Sequence, residues 1–290
     1  MTLINPRVDF AFKKLFGSEE NKDMLMSFIN SIISQEDQVS SIELKNPYNE
    51  KQFYGDKASI LDIKAQDHQG RYFNIEVQIR DQVHYDKRAL YYWSRLYTSQ
   101  LLESGKYDTL SKTISIHVLN FNGVDEESYH NIFRILNAKT YKTYFEDLEI
   151  HIIELEKFDK ELSHLKTVLD RWITFLKKAG EYVKNDIPKE LEEIPEIKKA
   201  VEVLDTMYLE KDERDLYEAR LKWLMDEDAI IDTVREEGRE EGREEGREEG
   251  REEGREGRNV EIAREMKKEG ESIDKIIKFT GLSKEVIDKL

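Results

Sequence analysis

Residues 57–80 read KASILDIKAQDHQGRYFNIEVQIR, and the fold turns on how this stretch doubles back on itself. Apolar side chains alternate in both halves, with Leu61, Ile63 and Ala65 before the turn and Phe73, Ile75, Val77 and Ile79 after it. That is the period of half-buried strands. A three-residue loop of His68, Gln69 and Gly70, with Gly70 left-handed, sets Asp67 opposite Arg71 and, counting outward, Asp62 opposite Glu76. Both of the latter then point away from the apolar face. Directly opposed like charges destabilise a sheet by up to about 1 kcal/mol unless a cation sits between them. In a shifted register the two acids would be ordinary exposed strand residues. In the expected register a hard divalent metal is the natural cation.

At 290 residues the chain can bury one substantial core and still carry appendages. It has no cysteine, which excludes disulfides, thiolate nucleophiles and zinc–sulfur sites and suits a cytoplasmic setting. Charges enter MTLINPRVDFAFKKLF too early for a secretory leader, and no apolar run approaches the ~18 residues of a membrane span, so no membrane partner is expected. The net charge of −16 argues against nucleic acid only until its distribution is considered. Residues 1–125 hold 15 Lys+Arg against 17 Asp+Glu, or −2, and the remainder holds 31 against 45, or −14. Around the acid-bearing hairpin, Lys64, Arg71, Arg80, Lys87, Arg88 and Arg95 form either a local basic rim or plain solvated surface.

On the N-terminal side of the hairpin, Phe12, Leu15 and Phe16, then Leu25, Phe28, Ile29 and Ile32, recur at helical spacing and predict two helices separated near Gly17. On its other side, Tyr85 to Ser104 predicts a helix stopped by Gly105. KTISIHVLNFN follows as a central strand, and Tyr129–Leu155 is a second β-rich stretch that extends or covers the sheet. Beyond Phe158 the pattern turns helical and predicts a cap on the core. From Arg235 to Gly254 the tetrapeptide REEG occurs five times. A helix there places like charges at i,i+4 and costs roughly 0.8–1 kcal/mol per glycine, so a solvated, partly helical tether is expected. The chain closes with ESIDKIIKFTGLSKEVIDKL, a helical hairpin with Ser283 as a cap. Its turn is shared by DNA-binding modules and plain hairpins, and its second helix lacks base-reading side chains.

Phosphodiester hydrolysis needs an activated water, relief of charge at phosphorus and help for the leaving oxygen, all of which carboxylate-held magnesium supplies. Asp62 and Glu76 are the acids placed for it. Strand alternation puts Gln78 on the face of Glu76, and the Val77 carbonyl between them is a further oxygen ligand. The Asp-x13-Glu-x-Gln constellation resembles the active site of the PD-(D/E)XK nucleases. With D-x-x-F-K at Asp9–Lys13, the ILDIKAQDHQGRYFNIEVQ block, R-x-x-x-Y at Arg88–Tyr92 and QLLESGKYDTL, the chain resembles the PD-(D/E)XK nuclease family transposases, also called recombination-promoting nucleases. The resemblance covers most of residues 3–125 and, more loosely, the chain to about residue 230.

That resemblance implies Asp62, Glu76 and the Val77 carbonyl as metal ligands, and Asp9 as an accessory acid able to hold a water of the metal's shell. Gln78 stands where the superfamily usually has lysine; a neutral amide can orient water or phosphate but brings no positive charge. It further implies an α/β fold with a central mixed sheet flanked by helices, Mg2+ or alternatively Mn2+ as cofactor, and DNA as partner. The reading is a metal-dependent DNA endonuclease tied to recombination or mobile DNA; its rival is a catalytically weak nuclease-fold protein that binds DNA or a protein. Residues 1–157 are expected as the nuclease-like core, 158–234 as the helical cap, 235–258 as the tether and 259–290 as the terminal hairpin. The helical region is also a candidate surface for a homo-oligomer.

Overall fold

A computed structural model describes residues 2–49, 59–60, 62–81, 83–101 and 105–290. The expected strand residue Leu61 and the predicted helix end at Ser104 lie outside the described residues. Two compact units divide the chain, Met1–Leu221 and Lys222–Leu290.

The hairpin forms in the expected register. Strands β4 (Ile63–Asp67) and β5 (Tyr72–Gln78) pair antiparallel with Ile63 opposite Ile75 and Ala65 opposite Phe73, and the Asp67 N–H donates to the Arg71 carbonyl at 3.1 Å. Gly70 has φ +83°, a conformation in which a Cβ would also press on Ser111 Oγ at 3.2 Å. The hairpin sits inside a six-stranded sheet completed by β1 (Ile42–Lys45), β6 (Thr113–Leu119), β7 (His130–Phe133) and β8 (Leu148–Glu154), in the order β1-β4-β5-β6-β8-β7. β5, β6 and β8 are mutually parallel and the outer pairs antiparallel. Two further short strands, β2 (Tyr48–Asn49) and β3 (Ser59–Ile60), pair with each other. β6 is buried along its whole length, as a central strand must be, and the β-rich stretch from Tyr129 extends the sheet.

One face of the sheet carries Ile63, Ala65, Phe73, Ile75, Ile116 and Val118 into the main core. Helices α1 (Asp9–Phe16) and α2 (Lys22–Ile32) cover it, joined by the break expected near Gly17. The cover continues in α4 (Val168–Lys178), where Trp172 packs within 5.4 Å of Phe16 and 5.8 Å of Phe28, ring centre to ring centre. A reciprocal capping box between Thr167 and Asp170 starts that helix. After the short α5 (Lys189–Glu192), α6 (Pro195–Leu209) adds Ile197, Ala200 and Leu204 to the same core. The segment from Phe158 is therefore one layer of the sheet's own core, with no packing boundary at residue 157.

The other face is covered by α3 (Tyr85–Thr98), through Tyr85, Ala89 and Trp93 against Leu119, Ile150 and Ile152. α3 ends at Thr98, well before Gly105. Hydroxyls of Thr98 and Ser99 bond back to the Ser94 and Leu96 carbonyls at 2.8 Å, and the Gln100 amide crosses to Ser111 and Thr113 beside β6. Local side-chain bonds of this kind compete with helix continuation, which the bare apolar spacing does not reveal.

The REEG stretch departs from expectation: α7 runs unbroken from Lys211 to Lys268. Nucleation is the costly step in helix formation, and the residues before Arg235 have already taken it, so the repeat bears only the smaller cost of propagation. Apart from the helix's own backbone, nothing lies within 4 Å of where a Cβ would stand at Gly238, Gly242, Gly246, Gly250 or Gly254, so these glycines serve no close approach. In the second unit, α8 (Ile273–Thr280) and α9 (Lys284–Lys289) fold back so that Ile276 and Ile287 bury Ala263. Gly281 ends α8 at φ +70°, and the Ser283 side chain caps α9. Among the described residues no helix is long and apolar enough to cross a membrane.

Candidate active site

Where β4 begins, Asp62 stands level with Glu76 by extension of the register. The two strands hold each acid with the other's backbone: the Asp62 N–H donates to Glu76 Oε1 at 3.3 Å, and the Val77 N–H donates to Asp62 Oδ2 at 3.0 Å. In an antiparallel ladder a residue's N–H and C=O leave the strand on one edge, so the Val77 carbonyl also faces the Asp62 side. Gln78 ends β5 on the face of Glu76, half-buried, with its backbone carbonyl accepting from Asn120 N–H at 2.9 Å. Asp62, Glu76, Val77 and Gln78 thus lie together.

The face expected to be open is roofed by α3, so Glu76 is only 1% exposed. Burial first, and then the charge of Asp62, push the Glu76 carboxyl well above its usual range, against the Asp62 N–H, Arg88 and Lys13. Burial likewise raises Asp62, opposed chiefly by Lys13 and the Val77 N–H. Two neighbouring acids are therefore held where both resist ionisation, and Lys13 Nζ lies 3.2 Å from Asp62 Oδ1.

Asp9 opens α1, one helical turn before Lys13, close enough to raise the Asp62 pKa. Its carboxylate, however, accepts from Arg220 Nε at 2.9 Å, so the acid expected to be accessory is engaged by a partner 211 residues away. Among the described residues no three His, Asp or Glu side chains gather as a metal-ligand cluster. The oxygen donors brought together are the two carboxylates and the Val77 carbonyl.

Beside Glu76, on the next strand, stands His117, which sequence reasoning passed over. Its Nδ1 shares a 2.9 Å hydrogen bond with the Tyr85 hydroxyl, and burial lowers its pKa to about 3, so the ring is neutral. Four buried polar atoms in this layer make no hydrogen bond among the described residues: both ends of the Asn74 amide, Ser115 Oγ and His117 Nε2. Buried polar atoms of this kind are normally satisfied by water or a bound group. The sequence signal was present, since Asn74 and Glu76 on β5 and Ser115 and His117 on β6 share one period-2 face. Lys13 could have been found the same way, one turn from Asp9 in the D-x-x-F-K motif.

The expected basic rim is thinner than the sequence suggests. Arg71 is buried, its Nε 2.7 Å from Asp67 and a terminal nitrogen 2.9 Å from Asp37, and so it belongs to the hairpin's own structure. Arg88 lies over the Tyr92 ring at 5.0 Å, and Lys64 over Tyr72 at 6.0 Å. Trp93 is buried and stacks on Tyr97 at 4.9 Å, so these two aromatics are packing residues.

A mixed sheet between helical layers, with an acid pair at the open end of its hairpin, defines a nuclease-like α/β protein. The sequence profile of the PD-(D/E)XK nuclease family transposases matches residues 6–234, and the chain belongs to that family. No curated protein and no solved structure matches it.

Proposed function

We propose that this protein is a metal-dependent DNA endonuclease, working with Mg2+ or Mn2+, that cuts DNA in recombination or in the movement of mobile elements. The observation that carries this reading is the opposed pair of half-buried Asp62 and buried Glu76, held by each other's strands, with Lys13 against Asp62. The donor set fits a hard cation, being made of carboxylate and carbonyl oxygen. The chemistry supplied by such an ion when bound is relief of charge at phosphorus and acidification of a water.

Asp62 and Glu76 would hold the ion together with the Val77 carbonyl, and the two backbone N–H donors fix the carboxylate orientations beforehand. Lys13 brings to the phosphate the positive charge that the Gln78 amide lacks, while Gln78 orients water or a phosphate oxygen by hydrogen bonding. Asp9 serves as the accessory acid in exchange with Arg220. Purified protein on supercoiled plasmid, with Mg2+, with Ca2+ and with chelator, tests the reading; no nicking under any metal sinks it.

The amide at Gln78 favours a second reading, a nuclease-fold protein that binds DNA or a protein partner with little catalysis. Salt-sensitive DNA binding with no Mg2+-dependent nicking would select it.

A further inference from the structure

Residues 128–145, SYHNIFRILNAKTYKTYF, are the longest run of this chain without an acid, in a protein of net charge −16. The run carries Arg134, Lys139 and Lys142. It makes up β7 and the arm that follows, which returns on itself through a bridge between Leu136 and Thr143 before entering β8. From Phe133 to Tyr144 every side chain is exposed, and Tyr141 and Tyr144 reach 78% and 82%. With Phe133, Ile135 and Leu136 also exposed beside them, the arm gathers apolar and aromatic surface in one short segment, as interaction sites do.

The arm is nevertheless built to hold one shape. At its root Arg134 Nε donates to Glu149 at 2.8 Å, and the same carboxylate orders the His151 and His130 rings through bonds of 2.8 and 2.9 Å. At its tip Asn137 Oδ1 accepts from the N–H groups of Lys139 and Thr140, both at 3.0 Å. The Asn137 N–H donates to the Lys142 carbonyl, and the Tyr141 N–H to the Asn137 carbonyl, both at 2.8 Å. These bonds hold Tyr141 at φ +55°, a backbone conformation costly for a bulky side chain. The tip thus fixes an exposed ring between two exposed lysines.

We propose that this arm is a duplex-DNA contact, a short hairpin closed by one bridge that seats in a groove with Lys139 and Lys142 on phosphates and Tyr141 against the sugar–base edge. The major groove, about 12 Å wide, admits a hairpin of this kind. Lysine flanking the central aromatic favours nucleic acid over a second copy of the chain, because protein interfaces deplete lysine at their centres whereas phosphate binding depends on it. β7 runs from the level of Ile153 at His130 to that of Ile150 at Phe133, so the arm leaves the sheet at the end opposite Gln78. Its contact is therefore remote from the cut bond, adding affinity for DNA and nothing to the chemical step. The inference rests on a DNA substrate, not on the identity of the metal ligands.

The test is fluorescence anisotropy of the full chain on a duplex of about 30 base pairs, roughly 100 Å long at 3.4 Å per step, with chelator so that no strand is cut. In Lys139→Gln/Lys142→Gln, binding at ~0.1 M salt should weaken about tenfold and the log–log salt slope should fall by about 2. Tyr141→Gly relieves the backbone and should melt no lower than the parent, while binding about tenfold more weakly with the slope unchanged. Plasmid nicking by both variants should keep kcat and raise KM. Parental DNA affinity in both variants overturns the proposal, whether or not Asp62→Ala abolishes nicking. So does a drop in the molecular mass by light scattering at unchanged DNA affinity, which would make the arm a self-association surface, or preferential loss on single strands alone.

Discussion

The two ends of the β4–β5 hairpin carry the same kind of problem and solve it differently. At the turn, Asp67 faces Arg71, and both are buried. There Asp67 accepts from the Gln69 and Arg71 backbone at 2.9 Å and from Arg71 Nε at 2.7 Å, while one terminal guanidinium nitrogen donates to Asp37 and the other lies 2.7 Å from Asp67. At the open end Asp62 faces Glu76, acid against acid, with a half-exposed lysine against Asp62. Asp62 and Glu76 are fourteen positions apart in the chain, and the same alternation places both pairs. A charge buried with its partner is structure; a charge buried against its like is maintained against the fold's own preference, as sites for a missing cation are.

The sharpest way to break this contrast is to truncate each acid. Asp62→Ala or Glu76→Ala should lower Mg2+-dependent nicking by about 10³-fold or more, roughly 4 kcal/mol of barrier, while the protein melts no lower than the parent. Asp67→Ala should do the reverse, costing about 3 kcal/mol of stability because Arg71 loses its closest carboxylate and keeps Asp37 and the Gln38 carbonyl, with nicking per folded molecule retained. Chemical denaturation alongside a plasmid assay separates the two; stability lost at Asp62 and activity lost at Asp67 would reverse their roles.

The pH dependence of stability tests the electrostatics of the open end. Glu76 has a folded pKa raised well above its unfolded value of 4.5. Below that unfolded value both states are protonated and nothing is lost. As pH climbs past it the unfolded chain ionises first, so stability falls until pH passes the folded value. Glu76→Gln removes this loss. Its melting temperature should match the parent's in acid and exceed it increasingly toward neutrality without metal, and added Mg2+ should narrow the gap by stabilising the parent alone. A gap that is the same at every pH would mean that Glu76 is not held against its ionisation.

A smaller effect is expected at Lys13, whose charge acts on both acids of the pair. Lys13→Met should tighten Mg2+ binding severalfold, by removing a competitor 3.2 Å from Asp62, yet slow turnover about tenfold. Gln78→Lys should keep or raise activity, since it returns positive charge to the face of Glu76, whereas Gln78→Ala should be slow. Titration of nicking against Mg2+ reads both variants; a Gln78→Lys protein as inactive as Asp62→Ala would end the view that Gln78 stands in for a lysine. The smallest effect belongs to removing residues 235–290. Within the first unit α7 is held by Arg220 with Asp9, Tyr217 with the Asn5 N–H and Lys14 with Glu213, each of which lies before that cut. The shortened chain should fold and nick as before; loss of nicking with an intact melt would make the tail a required element.

Whatever depends on period and local turn chemistry was legible in the residues alone. Alternation from Ile63 to Gln78, a loop that needs a left-handed glycine, and the resulting level of Asp62 and Glu76 were all legible because each is settled within two dozen residues. The helices α1, α2 and α4 declared themselves through apolar spacing for the same reason. Tertiary structure decided the rest. That Glu76 is buried depends on α3 crossing its face, that Asp9 is held depends on Arg220 two hundred residues on, and that His117 stands beside Glu76 depends on a parallel pairing across a whole helix. β1 was too short to show a period, and the unbroken α7 reflects a helix nucleated upstream of a repeat that would not start one. Short-range order is written in neighbouring side chains, whereas the environment that gives a carboxylate its chemistry is assembled from segments whose proximity no local pattern encodes.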